Sequence, residues 1–339
     1  MGVTRASAFS LTKSKFTIRL HSNQAYFLTR VFAGLAVLAT CSSHAVAQAS
    51  PSSEQIRGVV VNVQSPAAGN VSLELRDLRG VRFASSATDA DGAFAIAAPP
   101  QRGEYILLAS KGPFLVGQEI VWEGGRPEYR ITLPAVSLQT GPKHDGNTIS
   151  VNRLGTSEKT RNYIHLAEQK FSVLRFDEAL QDLTHALEQD PRCAAALTMR
   201  AFVRLAEKDP QGAAEDATRA VALDPDGEES YIALATALNS LGEFKKAAEA
   251  SVQTLMLDID SWQARLELAK SLYGQKQFVL ALHELDLLDK DFPDVRLVRG
   301  NTLARLGRRE EARTEFAAFL ERSPDDPRAP QVRQVLSNR

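Results

Sequence analysis

The residues that could do chemistry are six histidines, two cysteines and several adjacent carboxylates, and spacing decides what they can do. A metal centre needs convergent ligands, such as two histidines four residues apart on one helix face. His165, His185 and His283 fall on three different helical stretches and His144 falls in a polar link; none has a second ligand at i+4. Their expected role is structural or superficial. Asp89 and Asp91 before Gly92 match only the opening of a calcium loop, and no glutamate follows where such a loop would close. Asp and Gly are also what a tight hairpin requires, so a turn is expected there. Glu228 with Glu229, and Asp325 with Asp326, stand at boundaries between helices, where carboxylates favour a helix N-terminus. A general acid and base would need burial to shift a pKa, and the local sequence offers none. There is no phosphate-cradling glycine loop before Lys-Ser or Lys-Thr, and no Gly-x-Ser-x-Gly elbow. The expectation is a non-enzyme without metal or cofactor.

The pattern that organises the chain is a repeat. Ala179, Ala213, Ala247, Ala281 and Ala312 recur at spacings of 34, 34, 34 and 31. Pro191, Pro225, Pro293 and Pro324 keep the same beat, with Ile259 where the missing proline belongs. A period near 34 marks a solenoid of helical pairs. In the first unit Tyr163, Leu166 and Ala167 share one helical face, and Ala179, Leu183, Ala186 and Leu187 share another. The alanines are small because two helices approach closely there; a larger side chain would cost roughly 1–3 kcal/mol. Leu174 and Phe176 flank the reversal in the first unit, and Gly242 and Gly307 mark it in the third and fifth, where a helix end favours positive φ. Prolines close the units because they cannot continue a helix. The fifth unit is three residues short, so its first helix is expected to lose most of a turn. Residues 327–339 are expected to form a polar capping helix.

This pattern resembles the tetratricopeptide repeat family over residues 160–326, about half the chain. The third unit carries Tyr231, Leu234, Ala235, Leu238, Gly242, Phe244 and Ala247 at the family's places, and departs from it at Ser251, Thr254 and Ile259. The resemblance implies a curved stack whose first helices line a concave groove for a peptide or protein partner. The groove candidates it implies are Arg161 and Phe171, then Phe202, then Thr236 and Asn239, then Lys270 and Tyr273, then Asn301 and Arg305. Family members that clamp a C-terminal carboxylate carry Lys, Asn and Arg at set places. Ile164, Glu168 and Thr236 occupy some of those places here, so that clamp is not reproduced.

The front of the chain differs. Its first 49 residues hold five Lys or Arg and no Asp or Glu; Arg30 precedes a short apolar run, and Ala47, Gln48 and Ala49 offer a small-x-small site. A signal peptide with a long basic leader is expected, with export to the periplasm and no membrane span in the mature chain. Leu38, Ala39, Thr40 and Cys41 partly resemble a lipoprotein signal, although Thr40 departs from it; acylation of Cys41 is the alternative. Without the leader, 35 basic residues face 41 acidic ones, which argues against nucleic acid. Cys193 is then the sole cysteine, so no internal disulfide forms, and it is expected to pack between units one and two.

Residues 50–134 switch to period two. Short β-branched runs with turn signals every 8–12 residues predict about seven strands in a sandwich. Ile56, Arg57, Gly58, Val59 and Val60, the stretch from Thr88 to Phe94, and Gly103, Glu104 and Tyr105 resemble carboxypeptidase regulatory-like domains, which are transthyretin-like. That resemblance implies a non-catalytic accessory module. Residues 135–159 are expected to be a polar linker, with a short strand over 148–154. The fold class is thus multidomain: a small all-β sandwich, then an all-α solenoid of five helical pairs and a cap. The expected function is an exported scaffold that binds a protein or peptide partner in the cell envelope. The alternative is a wall- or carbohydrate-binding sandwich using Tyr105, Trp122 and Tyr129, with the repeats for oligomerisation.

Overall fold

A computed structural model describes residues 54–62, 68–125, 127–133, 156–289 and 291–337. The expected leader with Cys41, and most of the expected linker with His144 and its short strand, lie outside the described residues.

Seven strands form two layers: β1 (Gln55–Asn62), β2 (Ser72–Asp77), β3 (Arg82–Ala87), β4 (Ala93–Ala97), β5 (Gly103–Lys111), β6 (Phe114–Trp122) and β7 (Glu128–Leu133). One sheet has the order β4-β1-β7 and the other β3-β2-β5-β6. β1 runs antiparallel to β4 and parallel to β7. Ile56, Leu73, Leu75, Leu107, Ile96 and Ile131 meet between the layers. Asp89 behaves as the turn chemistry requires: its Oδ1 accepts from the amides of Asp91 and Ala93 at 3.0 and 2.9 Å, and Gly92 takes φ of 80°. That carboxylate is committed to the backbone.

Eleven helices follow, two per unit: α1 (Glu158–Ser172) and α2 (Phe176–Gln189), α3 (Ala194–Ala206) and α4 (Pro210–Leu223), α5 (Glu228–Ser240) and α6 (Phe244–Leu257). Units four and five are α7 (Trp262–Gly274) with α8 (Phe278–Asp286) and α9 (Pro293–Arg305) with α10 (Arg309–Arg322), and α11 (Ala329–Ser337) caps the end. Ser157, Asp209 and Ser261 cap α1, α4 and α7 by accepting a backbone amide of the first turn. The repeat alanines Ala179, Ala213, Ala247 and Ala281 are fully buried, as their size demands. Cys193 packs in the core shared by the first two units, while Leu166 points outward.

The missing three residues fall elsewhere than expected. α9 keeps 13 residues, the length of α3, α5 and α7, while α8 has nine against fourteen in the other second helices. Pro293 at the start of α9 and the stacking of Phe292 on Trp262, 4.5 Å apart and 5° from parallel, fix the entry to unit five. The shortening is therefore absorbed before that point. Gly242 and Gly307 turn at φ of 78° and 75°, and three non-glycines, Leu174, Lys208 and Lys276, take φ of 62–65° at the equivalent reversals. Register decides that backbone conformation, whatever the residue type.

The two halves dock. β5 is buried on both faces: Leu107 and Ala109 face the sandwich core, whereas Leu108 joins Val279, Leu282, Leu303 and Leu306 of the helical array. Gly117 of β6 makes the approach possible, since a Cβ there would lie 2.8 Å from Leu280 Cδ1. Beside this apolar contact lies a charged one. Arg76, nearly inaccessible, pairs with Glu74 at 2.7 Å and with Asp286 of α8 at 3.3 Å. His283 Nδ1 lies 3.3 Å from Glu74 Oε2.

Burial alone would raise the Glu74 carboxyl, but the hydrogen bond with His283 and the charge of Arg76 outweigh it and hold the pKa at about 2. A carboxylate held below its free value of 4.5 stabilises the docked state above that value and loses the contribution as pH falls toward 2. The stability difference between wild type and Glu74→Gln, from urea unfolding, should be complete at neutral pH and shrink between pH 4.5 and about 2. A difference that stayed flat would remove this carboxylate from the docking energetics. Lys208→Gly should raise stability by roughly 0.5–1 kcal/mol, because only glycine adopts the left-handed region without strain; part of that gain is offset in the unfolded chain. Thermal unfolding that shows a lower midpoint would contradict it.

Candidate partner-binding face

Successive first helices touch one another, α1 with α3, α3 with α5, α5 with α7 and α7 with α9, whereas successive second helices make at most marginal contact. The array therefore curves with its first helices inside. The sandwich packs against α8, against Leu303 of α9 and against Leu306 at its end.

The nine residues expected on this face divide into four groups. Phe171 and Phe202 are buried, which corrects their assignment to the groove surface. Phe171 packs on Phe176 with centroids 5.6 Å apart, and Phe202 fills the space between Ala213, Ala217, Ala233 and Ala237. Those alanines leave a volume that a large side chain must occupy. Arg161 is exposed at the first turn of α1 and donates to the Thr156 carbonyl at 2.8 Å.

Thr236, Asn239 and Lys270 come together. With Ser240, Phe244 and Glu267 they line a cleft of about 220 Å³ between units three and four. Asn239 Nδ2 donates to the Glu267 carbonyl and carboxylate at 3.0 and 2.9 Å, and its Oδ1 accepts from Ser271 at 2.9 Å. Lys270 donates to the other Glu267 oxygen at 2.7 Å. Glu267 is thus a buried carboxylate that positions both the amide and the ammonium. Sequence reasoning missed it, although an acid within the apolar run Leu266, Glu267, Leu268 and Ala269, one turn from Lys270 and Ser271, was a usable signal.

Tyr273, Asn301 and Arg305 lie at the junction of units four and five. The Tyr273 ring meets Phe278 edge-on at 5.4 Å, and the Arg305 guanidinium sits 5.2 Å over that same Phe278 ring. Asn301 and Arg305 are exposed and one turn apart on α9. Other basic residues of the first helices are committed elsewhere. Arg200 and Arg204 both bind Asp216, which is 2% exposed, at 2.6 and 2.9 Å. Glu168, at a groove place on α1, has its carboxyl raised by burial against the hydrogen bond and charge of His165.

The remaining chemistry is quiet. His165 and His185 are exposed, and no group of three His, Cys, Asp or Glu among the described residues could hold a metal. No helix of the described residues is long and apolar enough to cross a membrane. In the sandwich, Trp122 and Tyr105 are core residues at 2% and 6% exposure, and the half-buried Tyr129 donates its hydroxyl to Val121 O at 3.1 Å. These three aromatics therefore offer no open platform for a sugar.

Helical pairs stacked at a 34-residue period, with an open inner face, define a helical-repeat protein. The tetratricopeptide repeat family model matches residues 170–228 and 297–329. Solved structures with a similar array include a thermophilic TPR protein of Thermus thermophilus, with 21% identity over 52% of this chain and 97% of the other and a TM-score of 0.46. YrrB, described as a TPR protein with an unusual peptide-binding site, shares 22% identity over 51% of this chain and 90% of its own, with a TM-score of 0.39. The first TPR of Spaghetti, solved with an HSP90 peptide, shares 24% identity over 35% of this chain and 95% of its own, with a TM-score of 0.35. No curated protein matches the chain significantly.

Because Phe202 is a core residue, Phe202→Ala should destabilise the array by roughly 3–5 kcal/mol. Denaturant unfolding of the full chain checks this, and a loss below about 1 kcal/mol would return Phe202 to the surface.

Proposed function

We propose that this chain is an exported, non-catalytic interaction protein whose repeat array holds a peptide or protein partner of the cell envelope on its inner face. The observation that carries the reading is the cleft between α5 and α7. Thr236, Asn239 and Lys270 come from two different units and converge there, and the buried Glu267 carboxylate holds the Asn239 amide and the Lys270 ammonium in place. Preorganised polar groups on a rigid scaffold lower the ordering cost of binding an extended peptide. The sandwich, which we take as a carboxypeptidase regulatory-like module, acts as a brace on units four and five. The basic leader before an apolar run supports export to the periplasm, with Cys41 acylation as the alternative route to the envelope.

Two measurements test this. N-terminal sequencing of protein from cell fractions should find a periplasmic chain beginning just after Ala49; a cytosolic chain that keeps its first 49 residues would overturn the export reading. Crosslinked capture from the envelope fraction should recover a partner with wild type and lose it with Thr236→Arg, which fills the cleft, at equal thermal stability. A partner retained by Thr236→Arg would move binding off this face.

A further inference from the structure

We propose that the turns entering units four and five form a second docking surface, an apolar ridge rimmed by acids that takes a cationic amphipathic segment of a protein partner. It goes beyond the inner-face reading, since Trp262 begins α7 about 12 Å of helix ahead of Lys270 in the cleft. The ridge consists of apolar residues that the fold leaves outside. Leu257 ends α6 and Ile259 lies just beyond it, 39% and 43% exposed. Leu287 follows α8 at 57%, and Phe292 precedes α9 at 37%. The two turns lie side by side, because Phe292 stacks on Trp262 at 4.5 Å and 5° from parallel. Trp262 in turn packs on the core that holds Leu266 and Leu285, so the ring pair is anchored.

The repeat does not require these side chains. At the equivalent turns Pro191 and Pro225 stand where Ile259 stands, and Ala194 and Glu228 stand where Trp262 stands. An exposed apolar patch with a polar rim, where helix packing asks for none, marks a contact surface.

The rim defines the ligand. Residues 257–262 and 287–294 carry five aspartates against one lysine, Lys290. Arg322 and Arg328 neutralise Asp291 and Asp294, at 2.7 Å each. Asp258 and Asp289 each accept one backbone amide, from Asp260 and Asp291, and with Asp260 they form no ion pair among the described residues. Unpaired carboxylates repel an anionic lipid surface and attract ammonium or guanidinium groups. The face of an aromatic ring attracts the same cations. Rings and rim therefore agree: the ligand brings apolar side chains for the ridge and lysine or arginine for its margin. An amphipathic helix with a basic flank presents both at once.

The test uses the full chain and two fluorescent amphipathic dodecapeptides with the same leucine face, one with lysine and the other with glutamine at its polar positions. Fluorescence anisotropy should show the lysine peptide binding about tenfold more tightly, a difference of about 1.4 kcal/mol. Asp258→Asn, Asp260→Asn and Asp289→Asn combined should abolish that ratio, while the asparagine oxygens still accept the amides that shape the turns. Ile259→Ser with Leu287→Ser should weaken both peptides about tenfold. Both of those side chains are exposed, and matched thermal unfolding of each variant excludes a folding defect. Thr236→Arg, in the inner-face cleft, should change neither affinity. Equal binding of the two peptides overturns the proposal, and so does a lysine preference that survives the triple substitution. Loss of both peptides on Thr236→Arg returns their site to the inner face and removes the ridge. Binding of neither peptide also removes the ridge and leaves the inner-face reading standing.

Discussion

A pair of short helices cannot cover its own apolar residues, and the need for neighbours shapes this whole molecule. Each unit lends one face to the unit before it and one to the unit after. Fully buried alanines set how closely the pairs approach, and Phe202 shows the converse, since the gap left between four alanines is filled by one large ring. At the C-terminal end, α11 contributes Val332 and Leu336 to the last core. Near that end the sandwich supplies a further neighbour. Leu108, Ile106 and Leu115 enter the same cluster as Leu282, Leu303 and Leu306, so strand residues extend a helical core.

Docking is placed at the one second helix that is short. α8 stops at Asp286, five residues sooner than its equivalents, and its four buried or bridging residues Leu280, Leu282, His283 and Asp286 meet the sheet. Apolar burial gives the contact its strength without direction. Arg76 supplies direction, because it is nearly inaccessible and needs both Glu74 and Asp286 to be satisfied. Removing one partner of such a buried group costs more than the pair contributes, so misdocked arrangements are penalised. Arg299 continues the chain of charges from Asp286 to Glu315 of α10, which ties the junction to the fifth unit.

The architecture was legible because both periods, two and about 3.6, are local properties of the sequence. Seven strands and five helical pairs stand where periodicity puts them. What was not legible depends on partners distant in sequence. Glu74 and Arg76 alternate with Leu73 and Leu75 and look like a solvated strand face, yet their partners are 209 and 210 residues away. One signal was present: Ile106, Leu107, Leu108 and Ala109 form an unbroken apolar run, which in a strand means cover on both faces. The 31-residue spacing revealed a deletion without saying which helix bears it. For the candidate face, the structure brings Thr236, Asn239 and Lys270 to one cleft, while position within the repeat gave no depth for Phe171 and Phe202. Depth depends on how much space the neighbouring alanines leave, which no single unit encodes.

The distribution of charge on the inner face follows from the same packing. Where two units approach closely, a cation on a first helix lies beside acids of its own or an adjacent helix and is neutralised, as Arg200 and Arg204 are by Asp216 and Lys270 is by Glu267. The Arg200 and Arg204 pairs tie α3 to α4 within unit two, whereas the Lys270 pair lies within α7 and fixes the ammonium at the cleft. At the unit four and five junction the Arg305 guanidinium lies over the Phe278 ring, 5.2 Å from its centroid. A ring attracts a cation but accepts few of its hydrogen bonds, so the guanidinium keeps both its position and its unused donors.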